Sequence, residues 1–447
     1  MWTILNGSFL QSRGAIFPAL QANGFTPEES RRIWNAFRHG VWGINDCLAH
    51  WRHYVLADGQ WQSHDYEGYR PVAVDWTAFW RLKLKGWSGK LFHSLAGRAL
   101  CGIGLGVVCQ VGQVDGQRIP LLRRIIRPSK ADRSEAKLKA DTLRWVRYHL
   151  EPNEVAIVDA GVEISDMQAI GMPQYVIRMA LNSTGRRDYL PPYKGRGCRP
   201  KWGEKVRPLP RTHRQRALAA TPPDKTETLQ FKGRDIVVQG WGDLIPVGYK
   251  PGEAPETFTV WVFFDPLYDK PLVLGTNLHQ ASPLTIFCLY LDRWPVEQIP
   301  LVAKQMLGLH RQFVFAPESC CRLPELALLL ANVLTYLAAV LPPMPTGFWD
   351  RRPKKHRAAC GGSYQAHYFL EMPYLTPNFA KRRQLPPFTQ GSGRSSAAKS
   401  TPLIIHINLT RFYDRFFNVH CFELGLKVFC QCRVSGKQLL VFAIQFL

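Results

Sequence analysis

Two short apolar runs, each ending in an aspartate, constrain the fold more than any other feature of this sequence. Residues 71–75 read Pro-Val-Ala-Val-Asp, and residues 155–159 read Val-Ala-Ile-Val-Asp. Runs of this length and composition predict buried β-strands. Between them, residues 99–111 and 118–126 predict a hairpin that is closed by a turn at Asp115-Gly116. Three strands are therefore expected before the strand that ends in the second aspartate.

A helix is predicted between that hairpin and the second aspartate, over residues 129–150. Leu138, Leu143 and Val146 lie near one face of this segment, and Pro128 precedes it. The resulting order of strand, strand, strand, helix, strand is typical of a mixed sheet covered by helices. The sequence thus predicts an α/β fold.

The two aspartates, Asp75 and Asp159, have two interpretations. Open α/β sheets place their functional sites at strand ends, so each carboxylate is a candidate site residue. Aspartate also favours turns, and a single aspartate after a strand is more often a turn residue. Neither residue decides the question by itself.

The charge balance indicates an anionic partner. The chain of 447 residues carries 57 Lys and Arg against 34 Asp and Glu, a formal net charge of +23. Such a charge repels itself unless an anion offsets it, and nucleic acid is the leading candidate. A solvated basic surface and a membrane lipid surface are the alternatives. With 46% hydrophobic and 20% charged residues, the composition is that of a globular protein.

The sequence favours a cytoplasmic location. The N-terminus has neither a cationic start nor an apolar run of signal-peptide length. The apolar stretch 326–341 is slightly too short to span a bilayer and contains Asn332, which predicts a buried helix instead. The eleven cysteines are scattered and odd in number, which favours reduced thiols.

Changes in composition predict five regions. Residues 1–60 are expected to form a helical DNA-binding module, and residues 61–184 the first part of a core domain. A basic, β-rich insertion is expected over 185–258, followed by the second part of the core over 259–390. Residues 391–447 are interpreted as a linker and a tail of unknown role.

The N-terminal module has a clear helix start at Thr26. Thr26 can cap the helix, Pro27 suits its first position, and Glu29 follows at the capping-box spacing. Several basic side chains of this module could bind phosphates, or could equally form a solvated helix face. They are Arg31, Arg32, Arg38, His39, Arg52 and His53.

The predicted insertion carries the densest basic run of the chain. Its short β-like pieces are residues 235–239 and 257–264. The run could follow a DNA backbone, which would give salt-sensitive binding, or could be a flexible solvated loop, and we favour DNA. Its DNA-binding candidates are Lys194, Arg196, Arg199 and Lys201.

A second group of polar residues follows the insertion. Residues 271–276 predict a strand, and 283–341 predict helical chain that is interrupted near Arg322. Within this helical chain, four residues fall within about 60° of one another on an ideal helix. They are Tyr290, Arg293, Glu297 and Lys304.

The helix face that these four residues share has two interpretations. One carboxylate among three phosphate-binding groups suits metal-assisted phosphodiester chemistry. On spacing alone, an exposed helix with routine charge pairs is the more common explanation. Pro295 and Pro300 also disturb an ideal helix, and Pro295 predicts the start of its regular part.

The spacing of Tyr290, Arg293, Glu297 and Lys304 resembles the YREK signature of bacterial insertion-sequence DDE transposases. The resemblance covers roughly residues 70–345. It implies an RNase H-like catalytic core that is interrupted by a β-rich insertion. It also implies a homodimer on paired double-stranded DNA ends, with cut-and-paste movement of the element.

The same resemblance assigns Asp75, Asp159 and Glu297 as catalytic carboxylates that hold two Mg²⁺ ions, for which Mn²⁺ may substitute. Arg293 and Lys304 are then expected at phosphates near the scissile bond. Tyr290 would hydrogen-bond or stack beside them, which makes all three of these side chains DNA-binding candidates.

Three further points stay open from the sequence. Trp241 or Trp261 could stack on an extruded base, although a core position is the more common role of tryptophan. A transposon-derived DNA-binding protein without activity would keep the same fold. Another RNase H-like nuclease, such as a resolvase, would cut DNA without joining it.

Overall fold

The computed structural model describes residues 1–343 and the backbone of four short strands nearer the C-terminus. The predicted linker and tail over 391–447 lie outside the described residues, apart from those four strands, and so does the predicted core segment after residue 343.

Helices occur at both ends of the described chain and between the strands. The α-helices are α1 (Trp2–Leu5), α2 (Ser8–Gln11), α3 (Ile16–Ala22), α4 (Pro27–His39), α5 (Ile44–Asp58), α6 (Glu135–His149), α7 (Ile164–Ile170), α8 (Pro283–Leu291), α9 (Trp294–Leu301) and α10 (Pro317–Val340). A 3₁₀ turn covers Ser94–Ala96, and a π-helical turn covers Val302–Met306.

Most strands lie between α5 and α8. They are β1 (Gln62–Ser63), β2 (Arg70–Trp80), β3 (Lys90–His93), β4 (Arg98–Val114), β5 (Gln117–Ile126), β6 (Glu154–Val158), β7 (Tyr175–Arg178), β8 (Gly185–Arg187), β9 (Lys205–Val206), β10 (Arg211–His213), β11 (Arg216–Leu218), β12 (Lys225–Phe231), β13 (Arg234–Pro246), β14 (Phe258–Phe264) and β15 (Leu272–Thr276). The four C-terminal strands are β16 (Leu426–Val428), β17 (Gln431–Val434), β18 (Lys437–Leu440) and β19 (Ile444–Phe446).

The protein is a mixed α/β fold built on one large, mostly open mixed sheet, as the sequence predicts. This sheet has 13 strands in the order β1-β4-β2-β6-β7-β15-β14-β13-β8-β9, with β3 and β5 paired to β4 and β12 paired to β13. The pairs β2–β6 and β6–β7 are parallel, and the other pairs of the sheet are antiparallel. Apolar side chains are buried in three clusters along this sheet.

The predicted hairpin is confirmed as β4 and β5. Both residues of its turn, Asp115 and Gly116, have positive φ, at 48° and 73°. Positive φ at both positions defines the two-residue turn that best matches the twist of a hairpin. The helix predicted after it is also confirmed as α6, which Ser134 caps by accepting a hydrogen bond from the Lys137 N–H.

The strand predicted to end at Asp75 is longer than expected. β2 continues to Trp80, because β4 supplies an antiparallel partner for every residue from Val72 to Trp80. The parallel pairing with β6 stops at Val74 opposite Val158. Asp75 therefore marks the end of the parallel pairing and not the end of the strand.

The segment predicted as an insertion continues the main sheet. The two predicted strands are present as β13 and β14, and β13 is longer than the sequence indicates. β14 pairs with β15, which in turn pairs with β7 of the first part. The hydrogen-bonded ladder thus runs without interruption from β6 to β13, while the division into five regions stays a prediction.

The N-terminal helices form as predicted and pack on α10. The capping box of Thr26 and Glu29 is present at the start of α4. Trp51 of α5 donates to Asn332 of α10 at 2.9 Å. Arg322 of α10 donates to the carbonyl oxygens of Phe37, Arg38 and Gly40 at the end of α4.

The predicted interruption near Arg322 is wrong. Arg322 lies inside α10, and the break in the helical chain covers residues 307–316. A charged residue is tolerated there because the α4 carbonyls and Glu318 pair with it. α10 is long and apolar enough to cross a bilayer, but 94% of its apolar 18-residue stretch is buried inside the protein, as expected of a core helix.

Candidate active site

Two of the candidate carboxylates emerge side by side from the sheet. Asp75 follows the last parallel pair of β2 and β6, and Asp159 directly follows β6. Neighbouring strands lie about 4.8 Å apart, so the register brings both side chains to the same edge of the parallel pair. Asp75 lies at this edge because the parallel pairing of β2 with β6 stops just before it. Asp159 lies there because β6 itself ends at Val158.

Asp75 is half-buried, and the pKa of its carboxyl is raised. Burial raises the pKa of its carboxyl from 3.8 to about 6, the charges of Glu297 and Asp159 add to the increase, and the Trp76 backbone hydrogen bond and Arg293 oppose it. The three predicted carboxylates are therefore close enough for their charges to interact.

The four residues of the YREK spacing do not lie on one continuous α-helix. Tyr290 lies in α8, Arg293 in the turn before α9, Glu297 in α9, and Lys304 in the π-helical turn. Pro300 has no N–H to continue the regular pattern of α9. The π-helical turn follows, and its wider bonding is visible at the N–H of residue 307, which donates to the carbonyl of residue 302 at 3.0 Å.

These helical segments nevertheless bring three of the predicted side chains to one point. The Tyr290 hydroxyl donates to Asp159 Oδ1 at 3.1 Å. Arg293 Nη1 lies 3.4 Å from Asp159 Oδ2 and 2.7 Å from Glu297 Oε1. The Arg293 side chain is 3% exposed, whereas Asp159 and Glu297 are 30% and 37% exposed. One buried cation thus bridges two carboxylates that face solvent.

Lys304 approaches the site from the side of β2. Its Nζ donates to Thr77 Oγ1 at 2.8 Å and lies 5.2 Å from the centre of the Phe79 ring. Burial lowers the pKa of Lys304, and the charge of Asp75 opposes this decrease. Thr77 was not predicted, although the alternation of a strand places it on the same side as Asp75.

Arg178 is a second residue that the sequence analysis missed. It ends β7, the parallel neighbour of β6, and its Nη1 lies 3.6 Å from Asp159 Oδ1. No local signal in the sequence indicates this contact, because it depends on the parallel pairing of β6 with β7. Arg178 brings a second guanidinium to Asp159.

The exposed aromatic ring beside the site belongs to Trp294, which is 55% exposed. The Arg293 guanidinium lies 5.8 Å from the centre of its ring. Trp241 is fully buried and donates to the carbonyl oxygens of Thr221 and Pro222, so it cannot stack on a base. Trp261 is half-buried over Gly240 in the sheet, which agrees with the core alternative.

The donor chemistry of the site suits a hard divalent cation. Such cations prefer carboxylate oxygens, and three carboxylates interact here. Among the residues that the structure describes, no group of three or more His, Cys, Asp or Glu side chains is arranged to hold a metal ion. Instead, one nitrogen of Arg293 contacts both Asp159 and Glu297.

The basic run lies apart from these carboxylates. Lys194, Arg196, Arg199 and Lys201 are all exposed in the loop between β8 and β9, at the far end of the sheet order from β4. Arg199 lies 5.8 Å from the centre of the Tyr193 ring. The loop therefore presents cations and an exposed aromatic side chain to solvent.

The basic candidates of the N-terminal module differ in exposure. Arg31, Arg32, Arg38 and His39 are exposed on α4. Arg52 is partly buried and donates to Gln110 at 2.7 Å, so its role is at least partly structural.

Comparisons with known proteins add no assignment. Neither the search against models of protein families nor the search of curated proteins finds a match for this chain.

Proposed function

We propose that this protein is a DDE transposase that cuts transposon-end DNA and joins it to target DNA by cut-and-paste movement. One observation carries the proposal: Asp75, Asp159 and Glu297 come from separate elements and meet within a single electrostatic cluster. Tyr290 and Arg293, two residues of the YREK spacing, contact two of these carboxylates.

An RNase H-like core is part of this proposal. The first three long strands form an antiparallel group in the order β5-β4-β2, and β6 lies beside β2 and parallel to it. This arrangement supports the assignment, because it brings the aspartates of the first and fourth core strands to one edge.

Asp75, Asp159 and Glu297 would hold Mg²⁺, or Mn²⁺ in its place, with two ions per site. When bound, the ions would supply an activated nucleophile and stabilisation of the leaving oxygen. The nucleophile is water when the transposon end is nicked, and a DNA 3′-hydroxyl when that end is joined. In both reactions one phosphorus–oxygen bond forms as another breaks.

The remaining side chains of the site would bind and orient the DNA. Arg293, Arg178 and Lys304 provide positive charge for the phosphate near the scissile bond. The Tyr290 hydroxyl fixes the orientation of the Asp159 carboxylate. The exposed Trp294 ring is available to stack on a base close to the cut.

The partner in this proposal is double-stranded DNA, as terminal inverted repeats and as target. The exposed run Lys194, Arg196, Arg199 and Lys201 would follow the DNA backbone. A homodimer would hold the paired ends, and the location would be the bacterial cytoplasm, at the nucleoid.

The test is Mn²⁺-dependent cleavage and joining of the element's own end DNA by the intact protein and by Glu297→Gln. We expect the substitution to abolish both reactions while end binding persists. The control is Glu253→Gln, which removes an exposed carboxylate that pairs only with nearby Lys250 on the surface. This control should react at the parental rate.

Three other outcomes would contradict the proposal in different ways. Equal activity of the parent and Glu297→Gln would exclude Glu297 as a ligand. Cleavage without any strand-transfer product would indicate a nuclease. Binding without cleavage in both proteins would indicate a DNA-binding protein without activity, a reading that the bridging contacts of Arg293 favour.

A further inference from the structure

A buried carboxylate, Asp292, lies between α8 and α9 on the side away from the candidate active site. Its side chain is 0% exposed. His64 Nδ1 lies 2.6 Å from its Oδ2, the Tyr66 hydroxyl donates to the same oxygen at 3.0 Å, and Arg118 Nε lies 3.0 Å from Oδ1. We call these four residues the Asp292 clamp.

The clamp joins parts of the chain that are distant in sequence. His64 and Tyr66 lie just after β1, and Arg118 lies in β5. A carboxylate buried without partners would cost several kcal/mol, and the ion pair with Arg118 and the contacts with His64 and Tyr66 offset part of that cost. Burial and the charge of Asp292 raise the pKa of Tyr66, whose hydroxyl therefore stays protonated and donates.

Asp292 belongs to the same short turn as two residues of the candidate site. The N–H of Asp292 donates to the carbonyl of Leu289 at 3.1 Å, and the N–H of Arg293 donates to that of Tyr290 at 3.0 Å. Tyr290 and Arg293 lie on one face of this turn and contact Asp159. On a helical turn of about 100° per residue, residue 292 points about 130° away from the mean direction of residues 290 and 293.

These contacts hold the turn between α8 and α9 on the face that points away from the candidate active site. The clamp holds the backbone of residues 290–293 against β1 and β5, while the opposite face presents Tyr290 and Arg293 to the carboxylates. A cleft lined by Ser63, His64, Tyr66 and Arg118 borders the clamp, so solvent reaches its outer edge.

We propose that Asp292 is a positioning residue, which acts on DNA cleavage by holding Arg293 and Tyr290 at Asp159 from the buried side of the α8–α9 turn. The inference rests on the proposed function, because it concerns the rate of the same reaction. It adds a residue outside the YREK spacing, together with the partners that keep it in place.

The first experiment compares single-turnover cleavage of end DNA by the parent, Asp292→Asn, Arg293→Ala and the double variant. A misplacement of reacting groups by about 1 Å costs about 100-fold in rate, so we expect a loss of that order for Asp292→Asn. Binding of end DNA in EDTA should change by less than about threefold, because the clamp contacts no DNA in this proposal.

The double variant separates positioning from general damage. If Asp292 acts through Arg293, the double variant should cleave about as fast as Arg293→Ala alone, since the position of an absent side chain no longer matters. Multiplication of the two single losses would overturn the proposal. So would a parental rate for Asp292→Asn.

A milder pair of variants covers the case in which Asp292→Asn does not fold. Tyr66→Phe removes one hydroxyl donor of the clamp and should slow cleavage by about threefold to tenfold. Tyr336→Phe removes an equivalent bond, from the Tyr336 hydroxyl to Asp58, at a distance from the site. It should leave the rate unchanged, and equal rates for the two variants would contradict the clamp.

These outcomes are distinguishable from failure of the proposed function. A parent that does not cleave overturns the transposase assignment, and the positioning role with it. A parent that cleaves while the clamp variants keep its rate overturns the positioning role alone.

Discussion

Two ionic clusters of this protein use the same side-chain types and differ in how completely they pair. The first, which we call the α10 cluster, consists of Arg127, Arg322, Glu318 and Glu325. Arg127 donates to both oxygens of Glu325 at 2.5 and 2.7 Å and to Glu318 at 2.6 Å. Glu325 is 0% exposed, and two cations match two anions.

The candidate active site pairs its charges less completely. Arg293 and Arg178 lie 3.4 and 3.6 Å from Asp159, and Lys304 donates to Thr77 instead of to a carboxylate. Asp159 and Glu297 keep 30% and 37% of their side-chain surface exposed. In the α10 cluster Arg127 binds both oxygens of buried Glu325, whereas at the candidate site both arginines lie at least 3.4 Å from Asp159. Incomplete pairing of this kind is the feature that distinguishes the candidate site from the α10 cluster.

The largest expected difference between the clusters is in stability. Arg127→Ala should lower the free energy of unfolding by about 3–5 kcal/mol, because it leaves buried Glu325 without its partner. Glu297→Ala should cost less, because buried Arg293 keeps its contact with Asp159 and the repulsion between Glu297 and Asp75 is removed. Urea denaturation of both variants measures the difference. Equal losses would remove the distinction between the two clusters.

A second prediction concerns cations that have no carboxylate partner among the described residues. Replacing Lys194, Arg196, Arg199 and Lys201 together by Ala should reduce the slope of log K against log salt by about 3.6, since each of the four phosphate contacts contributes about 0.9. Four exposed cations around β3 provide a control of equal charge: Lys83, Lys85, Lys90 and Arg98. An equal change in slope for both sets would indicate net charge alone and not a DNA path.

The smallest expected effect concerns Asp75. Its folded pKa of about 6 exceeds the ordinary 3.8, so the fold binds the proton more tightly than the unfolded chain does. The charged form therefore destabilises the fold above about pH 6, and this penalty disappears as the pH falls towards 4. Asp75→Asn should raise the melting temperature at pH 7.5, in EDTA, by about 2 °C, and by much less at pH 4.5.

The control for this prediction is Asp269→Asn, which removes an exposed charge from a loop. It should show no such difference between the two pH values. A stabilisation by Asp75→Asn that does not depend on pH would contradict the link to burial of its charge.

Local signals in the sequence were sufficient for the features that depend on neighbouring residues. The capping box of Thr26 and the turn at Asp115-Gly116 each need only a few adjacent side chains, and both form as predicted. The place of Asp159 follows from the end of an apolar run. The mixed α/β class followed from the order of such elements.

Features that depend on distant partners could not be predicted in the same way. β2 extends past Asp75 because β4 pairs with it, and Arg322 stays in α10 because α4 carbonyls accept its hydrogen bonds. The angular argument for the YREK residues assumed one ideal helix, whereas the chain changes direction before α9 and widens after Pro300. Thr77 and Arg178 join the site through the sheet register, which a single sequence does not reveal.

The continuous series of paired strands from β6 to β8 fixes the distance between these two strands. Five steps separate the strand that carries Asp159 from the strand that begins the basic loop, in the order β6-β7-β15-β14-β13-β8. At about 4.8 Å per step they span about 24 Å. Since successive base pairs of a DNA duplex are about 3.4 Å apart, this equals about seven base pairs. A DNA duplex that contacts both Asp159 and the basic loop would therefore be held over a fixed length. The cut would then fall at a constant number of base pairs from the position that the loop contacts.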